Sequence, residues 1–280
     1  VDVNTFVDNE PRNNSIRRAL TWNEGGVLQG ARHITIGGHY LYIVADRGVV
    51  IVDVDDPMKP RVASVVDLPG ARASALQFRY LFVTDATGLR VVDVTTPEKP
   101  RLVHAGAPAV PLLDAQRIYV ARTYAYVAAG KQGLAIIDVE RAEEPRLVET
   151  FDAGGVINDA RDVVVASTNA SLFAYVADGR NGLRVLQLTS PDSQPKFYGF
   201  SPAPRPELIA TGRTDSPALA LSKGLDRDRA VDETGGQIAV MGRIGSRPFT
   251  KAEMQKMYLR PDGTVWTVTD TVGKPEGGKK

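Results

Sequence analysis

Cysteine is absent from all 280 residues, which excludes disulfides, thiolate metal sites, iron–sulfur clusters and Cys-x-x-Cys-His haem attachment on this chain. Histidine occurs three times, at His33, His39 and His104, never as a His-x-x-x-His pair and never beside a carboxylate cluster, so no histidine-built metal centre is expected. Neither sign of charge dominates. With 34 lysines and arginines against 33 aspartates and glutamates, the formal net charge of +1 provides no global field to recruit nucleic acid or an anionic membrane. No apolar run approaches the roughly 18 residues of a spanning helix, and no signal-peptide pattern opens the chain. Val1 in place of methionine reads as a processed or trimmed start. Gly-x-Ser-x-Gly is missing as well, and Gly37-Gly38, Gly154-Gly155 and Gly235-Gly236 read as turn glycines rather than phosphate loops.

What is present repeats. Gly48 opens GVVIVDVDDPMKPRV, Gly88 opens GLRVVDVTTPEKPRLV, Gly133 opens GLAIIDVERAEEPRLV and Gly182 opens GLRVLQLTSPDSQPKF, at spacings of about 40, 45 and 49 residues. An aromatic and apolar run precedes each copy: Tyr40 to Asp46, Tyr80 to Asp85, Tyr124 to Gly130 and Phe173 to Gly179. These runs are short, rich in Val, Ile, Tyr and Phe, and bounded by Gly, Asp or Asn, which favours strand over helix. A further apolar run lies upstream of each, from Ala31, Ala73, Ala115 and Ala160, and a fourth follows the proline turn from Pro60, Pro100 and Pro145.

Four strands per unit at this period predict an all-β fold, a β-propeller of four-stranded antiparallel blades. Glycine at the second-to-third connection suits a hairpin needing positive φ. Proline at the third-to-fourth connection suits an edge turn, because it cannot donate to a ladder.

Five units are placed at 31–69, 71–107, 112–152, 159–201 and 205–249, the fifth carrying an inserted charged loop at Asp226 to Thr234. A sixth blade is expected from the two ends, residues 1–30 with 251–270, closing a single domain of 1–270 and leaving 271–280 as a flexible tail. In that blade Pro261-Asp262-Gly263 is the turn of a hairpin, and Trp22 and Trp266 pack across the junction.

The apolar run ending in Asp before a proline turn resembles the LVIVD repeat family. The matching residues are Val50-Ile51-Val52-Asp53, Arg90-Val91-Val92-Asp93, Ala135-Ile136-Ile137-Asp138 and, with a departure at its end, Arg184-Val185-Leu186-Gln187. The resemblance implies a propeller on a secreted or surface-associated protein, outside the cytoplasm, with no family-wide catalytic mechanism and no cofactor. It also implies that a multihaem cytochrome is a conceivable partner.

The recurring Asp53, Asp93 and Asp138 lie on different blades, too dispersed to share a cation, and read as turn caps. Asp226-Arg227-Asp228-Arg229 alternates charge, which opposes a dense calcium site. No catalytic, metal or cofactor residue is therefore assigned. Equivalent hairpin loops do gather polar side chains on one rim, and Asp46, Arg47, Asp85, Asp178, Arg180 and Asn181 are the candidate partner-binding residues.

The expected function is a non-enzymatic scaffold that docks another protein subunit or a second copy of itself. Two alternatives stay open. One is a ligand- or carbohydrate-binding propeller using Tyr40, Tyr80, Tyr124 and Phe173. The other is an enzyme whose central channel would draw on His33, Gln77, Gln116 and Asp162, which fall in differing registers of their runs.

Overall fold

A computed structural model describes residues 20–167, 171–192, 194, 200–222, 243–244, 247–248 and 250–264. Within them the chain forms antiparallel four-stranded sheets in succession, each wound in strict sequence order. The first blade is β1 (His33–Gly37), β2 (Tyr40–Ala45), β3 (Gly48–Asp53) and β4 (Arg61–Asp67). The second is β5 (Ala73–Gln77), β6 (Tyr80–Asp85), β7 (Gly88–Asp93) and an outer strand in two pieces, β8 (Arg101–Leu102) and β9 (Val110–Pro111). The third is β10 (Ile118–Ala121), β11 (Tyr124–Ala128), β12 (Leu134–Asp138) and β13 (Arg146–Phe151), and the fourth is β14 (Asp162–Ser167), β15 (Leu172–Ala177), β16 (Leu183–Thr189) and β17 (Glu207–Gly212). First strands of successive blades lie side by side, β1 on β5, β5 on β10 and β10 on β14. This nearly all-β stack of sequential four-stranded sheets is the expected propeller architecture.

Alternation along each strand sends side chains to opposite faces, so the core lies in the seams between blades. Tyr42, Val44, Val49 and Ile51 of the first blade meet Leu76, Leu81, Val83 and Val92 of the second. On its other face the second blade turns Ala73, Phe82, Leu89 and Val91 toward Ala125, Val127, Ala135 and Ile137 of the third. Tyr126, Ala128, Leu134 and Ile136 fill the third seam with Val163, Val165, Val176 and Leu186.

The repeated glycine has one steric cause throughout. A Cβ on Gly48, Gly88, Gly133 or Gly182 would stand 2.1–2.3 Å from a backbone carbonyl oxygen of the blade's own outer strand or of the residue pairing with it. At the same four positions φ is positive.

Between third and fourth strands the register shifts at Ile51/Val52, Ile136/Ile137 and Val185/Leu186, a bulge that sharpens the outer strand's twist. In the second blade it grows into a loop. Val103 N still bonds Val91 O and Ala109 N bonds Leu89 O, while residues 104–108 protrude between β8 and β9. That blade therefore extends to Pro111 rather than ending at 107.

The fourth blade also differs from expectation. Its outer strand is Glu207–Gly212, beyond the expected limit at 201, because Pro202, Pro204 and Pro206 carry no N–H to pair and only Arg205 N, between them, bonds β16, at Leu188 O. The start of a fifth unit is present, since Ala218 bridges Gly179 as Ala160 bridges Gly130.

Downstream are a short hairpin, β18 (Arg243–Ile244) with β19 (Arg247–Pro248), and helix α1 (Lys251–Tyr258). The helix opens on a capping box in which Thr250 and Glu253 serve each other's backbone N–H groups. It occupies residues expected to be strand. The turn beyond it is as read, with Gly263 N bonding Arg260 O and Asp262 Oδ1 accepting from Thr264 N. Residues 1–19, most of the charged insertion's unit (223–242), Trp266 and the tail lie outside the described residues.

Candidate functional site

Two kinds of connection meet at one end of the blades, the second-to-third hairpins and the crossings from each outer strand to the next inner strand. The loops are closed by carboxylates that face inward. Asp85 Oδ1 accepts from Thr87 N, Thr87 Oγ1 and Gly88 N, at 2.6–3.0 Å, and its Oδ2 accepts from Arg90 Nε at 2.8 Å. The resulting bonds hold its carboxyl below the ordinary range although burial pushes the other way. Asp178, whose side chain is fully buried, accepts from Asn158 N and Asp159 N through Oδ1 and from Arg184 Nε, at 3.0 Å, through Oδ2.

Of the six residues expected to form a partner-binding rim, these two are thus spent on structure. Asp46 is exposed but pairs with Arg32. Asn181 Nδ2 donates to Asn158 Oδ1 at 2.9 Å. Arg47 and Arg180 stand at the surface with no side-chain hydrogen bond or ion pair among the described residues. Lys131 of the third blade, which the sequence reading left out, occupies the same place and is likewise exposed. Aligning AAGKQGL with ADGRNGL would have found it.

The inner strands begin at this same end, in one shared register. Backbone N–H groups of Arg32, Arg72, Gln116 and Arg161 each donate to the second strand of their own blade, to Val44, Thr84, Ala128 and Ala177. The next residues, His33, Ala73, Arg117 and Asp162, are therefore equivalent. His33, Gln116 and Asp162 all cluster here, with Gln116 one step earlier, whereas Gln77 is at the far end of β5, where its Nε2 donates to Arg122 O.

Three arginines of this register are neutralised by aspartates: Arg32 by Asp46, Arg72 by Asp114 at 2.5 Å and Arg161 by Asp159 at 2.5 Å. In the third blade the equivalent position is Gln116, which donates to Asp114 Oδ1. Arg117 beside it has no ion pair among the described residues, and its guanidinium makes one long bond, 3.4 Å, to Arg32 O of the first blade. His33 Nδ1 accepts from Ser74 N at 3.2 Å, which places the ring proton on Nε2. Burial first and the Arg117 charge second lower the His33 pKa to about 4. Asp162 is pushed up by burial, opposed by bonds from Leu221 N and Val163 N and by Arg117.

The opposite end is a stapled surface. Asp53, Asp93 and Asp138 accept from the backbone N–H two residues on, Asp55, Thr95 and Glu140, each at 2.9 Å, which makes them the turn caps the sequence suggested. Tyr40 and Tyr80 are partly core, and their hydroxyls reach Glu98 and Glu143 of the following blade. His39 lies 3.3 Å from Asp55, and His104 bonds Glu143 O, so the three histidines occupy separate places. Among the described residues no group of three metal-capable side chains forms.

The LVIVD repeat profile matches residues 30–67, 75–105, 114–153 and 158–199, more than half of the chain and each of the four blades. The chain belongs to the LVIVD repeat family. No curated protein sequence matches it. Among solved structures it is similar to PorZ, a bacterial surface component of the type-IX secretion system of Porphyromonas gingivalis, at 19% identity and a TM-score of 0.41 over 65% of this chain and 23% of that one. It is similar also to apo AztD from Citrobacter koseri, at 16% identity and a TM-score of 0.39 over 68% of this chain and 49% of that one. This LVIVD repeat chain spans less than half the length of either. No described helix is long and apolar enough to cross a membrane.

Proposed function

We propose that this LVIVD repeat propeller is a non-enzymatic binding platform outside the cytoplasm, and that its partner docks on the rim formed by the second-to-third loops. The observation that carries the reading is a division of labour within each repeat. Positions that recur between blades, the glycines, the capping aspartates and the stapling tyrosines, are consumed in holding the blades together. Side chains at the loop tips, Arg47, Lys131 and Arg180, are held by nothing described. A rigid scaffold that leaves its loop tips free is the usual division between frame and binding surface.

The family resemblance supports a surface-associated location, and a subunit such as a multihaem cytochrome fits within the reading. A six-bladed ring closed by residues from both ends is part of the same proposal. Its support is that Trp22, Val27 and Leu28 pack on the first blade's outer face, as Phe151 and Ile157 pack in the seam that joins the third blade to the fourth. On that face Ile34 and Ile36 remain 52% and 63% exposed, as the surface of a seam with an incomplete neighbour.

Native isolation followed by mass spectrometry tests the platform. Co-purification with another subunit, or with a second copy, in fixed proportion is expected. A chain that travels alone as a monomer would overturn the proposal.

A further inference from the structure

Exposed charges of both signs share the loop end of the blades. Glu24, Asp67, Asp152 and Asp215 stand in solvent there as Arg47, Lys131 and Arg180 do, so the rim as a whole selects neither sign. The start of the inner strands is a separate place. Its equivalent positions carry His33, Ala73, Arg117 and Asp162, one from each blade, and Ala220 follows in the fifth unit, two residues after the bridging Ala218.

Two of these side chains latch the next blade. His33 Nδ1 accepts from Ser74 N at 3.2 Å and Asp162 Oδ2 from Leu221 N at 2.8 Å, the donor in each case being the residue after the equivalent position. Arg117 has only donors and cannot make that latch. Nor does it have a carboxylate in contact, because Asp114, the acid of its own crossing, is held by Arg72 and Gln116. Its guanidinium instead extends past the second blade, whose residue at this level is only Ala73, and ends 3.4 Å from Arg32 O, the carbonyl that leads into His33. That single long bond leaves most of its donors unspent.

Complementary capacity lies beside it. With Nδ1 accepting, His33 carries its proton on Nε2, and no acceptor meets that proton among the described residues. Asp162 takes one bond on each oxygen, from Val163 N and Leu221 N, both at 2.8 Å, whereas a carboxylate has room for about four. Among the described residues no ion pair joins Asp162 to Arg117. The Arg117 charge nonetheless reaches both neighbours: after burial it is the second cause lowering His33, and it opposes the rise that burial gives Asp162. A cation and an N–H donor therefore stand near a carboxylate without neutralising it by contact.

We propose, independently of docking on the rim, that this inner end binds a free α-amino acid, whose carboxylate is taken by Arg117 and His33 Nε2–H and whose ammonium is taken by Asp162. A simple anion is disfavoured by repulsion from Asp162, and a simple cation by repulsion from Arg117. A molecule with both charges on one carbon meets all three groups at once through charge-assisted bonds.

Each standard amino acid, offered singly at millimolar concentration to the full chain in calorimetric titration, serves as probe. Saturable binding of at least one is expected, weakened about tenfold or more by Arg117→Gln, less so by His33→Ala, and retained by the control Lys59→Gln at the opposite end. The N-acetyl and amide derivatives of the same amino acid each remove one charge and should bind wild type about tenfold or more weakly than the parent. That pair tests the Asp162 contact without altering a side chain that latches the fifth unit, and melting curves verify that the variants fold. No binding of any amino acid, binding unchanged by Arg117→Gln, or a derivative as tight as its parent overturns the proposal. Each of these failures leaves the platform standing, because fixed-proportion co-purification of a subunit is read separately.

Discussion

Tyr80 of the second blade donates its hydroxyl hydrogen to Glu143 Oε1 of the third blade at 2.9 Å. Tyr40 makes the same bond to Glu98 of the second blade at 2.8 Å. Each glutamate belongs to the turn between third and fourth strands of the next unit, so an aromatic that packs in one blade also fastens the following one. Glu143 gathers Arg79 and Arg101 at the same junction, and Arg79 reaches Asp93 at 3.1 Å.

Replacing Tyr40 with Phe keeps the ring and removes only the fastening to Glu98, whereas the Tyr80 hydroxyl also accepts from Arg79. A loss of about 1 kcal/mol is expected, the net worth of one such bond at a partly exposed site. A double-mutant cycle with Glu98→Gln, read by denaturant unfolding, should return most of the loss as coupling energy. Additive effects would mean the bond contributes nothing.

The repeated glycine gives a sharper contrast. Gly88 has φ +146 and a Cβ there would meet Val110 O at 2.1 Å, whereas Gly154 has φ +69 in open space. Gly88→Ala must move the outer strand and should cost about 3 kcal/mol or more. Gly154→Ala bears only the left-handed backbone cost, about 1 kcal/mol. Similar melting temperatures for the two variants would contradict the steric account.

Much of this frame is legible in the sequence because it repeats: the glycine, the capping aspartate and the proline turn each mark a local requirement met by neighbouring residues. Boundaries that depend on distant pairing are not marked. Nothing local says that a bulge becomes the loop between β8 and β9, and Pro202, Pro204 and Pro206 mark where a ladder fails but not that β17 resumes it at Glu207. The shared register of His33 and Arg117 was legible in their equal spacing to Tyr40 and Tyr124, whereas Asp162 stands farther from Phe173 and joins them only when ladders are aligned across blades. The helix was readable in part, because Thr250-Lys251-Ala252-Glu253 is a capping-box pattern. Which acidic rim residues are buried was not, because Asp46 and Asp178 look alike in sequence and differ only in what packs over them.

That difference makes a prediction within one loop. Asp178 is fully buried on Arg184 and two backbone N–H groups, and Arg180 is exposed with no described partner. Asp178→Ala strands a buried guanidinium and should destabilise the chain by about 3–5 kcal/mol. Arg180→Ala should stay within about 0.5 kcal/mol of wild type. Equal sensitivity by thermal unfolding would show that the loop's acid is not the structural member.

Tyr126 should be improvable. Its hydroxyl is buried in the third seam with no hydrogen-bond partner among the described residues, and burial raises its pKa. Phe82 fills the equivalent place in the second blade without difficulty. Tyr126→Phe removes an unsatisfied polar atom while keeping the packing, so a gain of about 1 kcal/mol is expected. A loss of that size on chemical denaturation would mean the hydroxyl has a partner, such as a buried water.

Acid should act first through His33. Its folded pKa of about 4 lies below the ordinary 6.5, so between those values the unfolded chain binds the proton and the folded chain does not. Stability from this group is complete above pH 6.5, declines as pH falls through the window and levels off below about 4, a total near 3 kcal/mol for a shift of this size. Asp53, Asp85 and Asp114, all held below the ordinary carboxylate range, add their own loss only at lower pH. Asp162, raised by burial, has the opposite sign, losing stability as pH rises through the carboxylate range. Comparing denaturation midpoints at pH 7 and 4.5 isolates the histidine, because Gln can still accept from Ser74 N but does not titrate. Wild type should weaken across that interval and His33→Gln should weaken much less. A slope unchanged by the substitution would assign the acid sensitivity to the carboxylates instead.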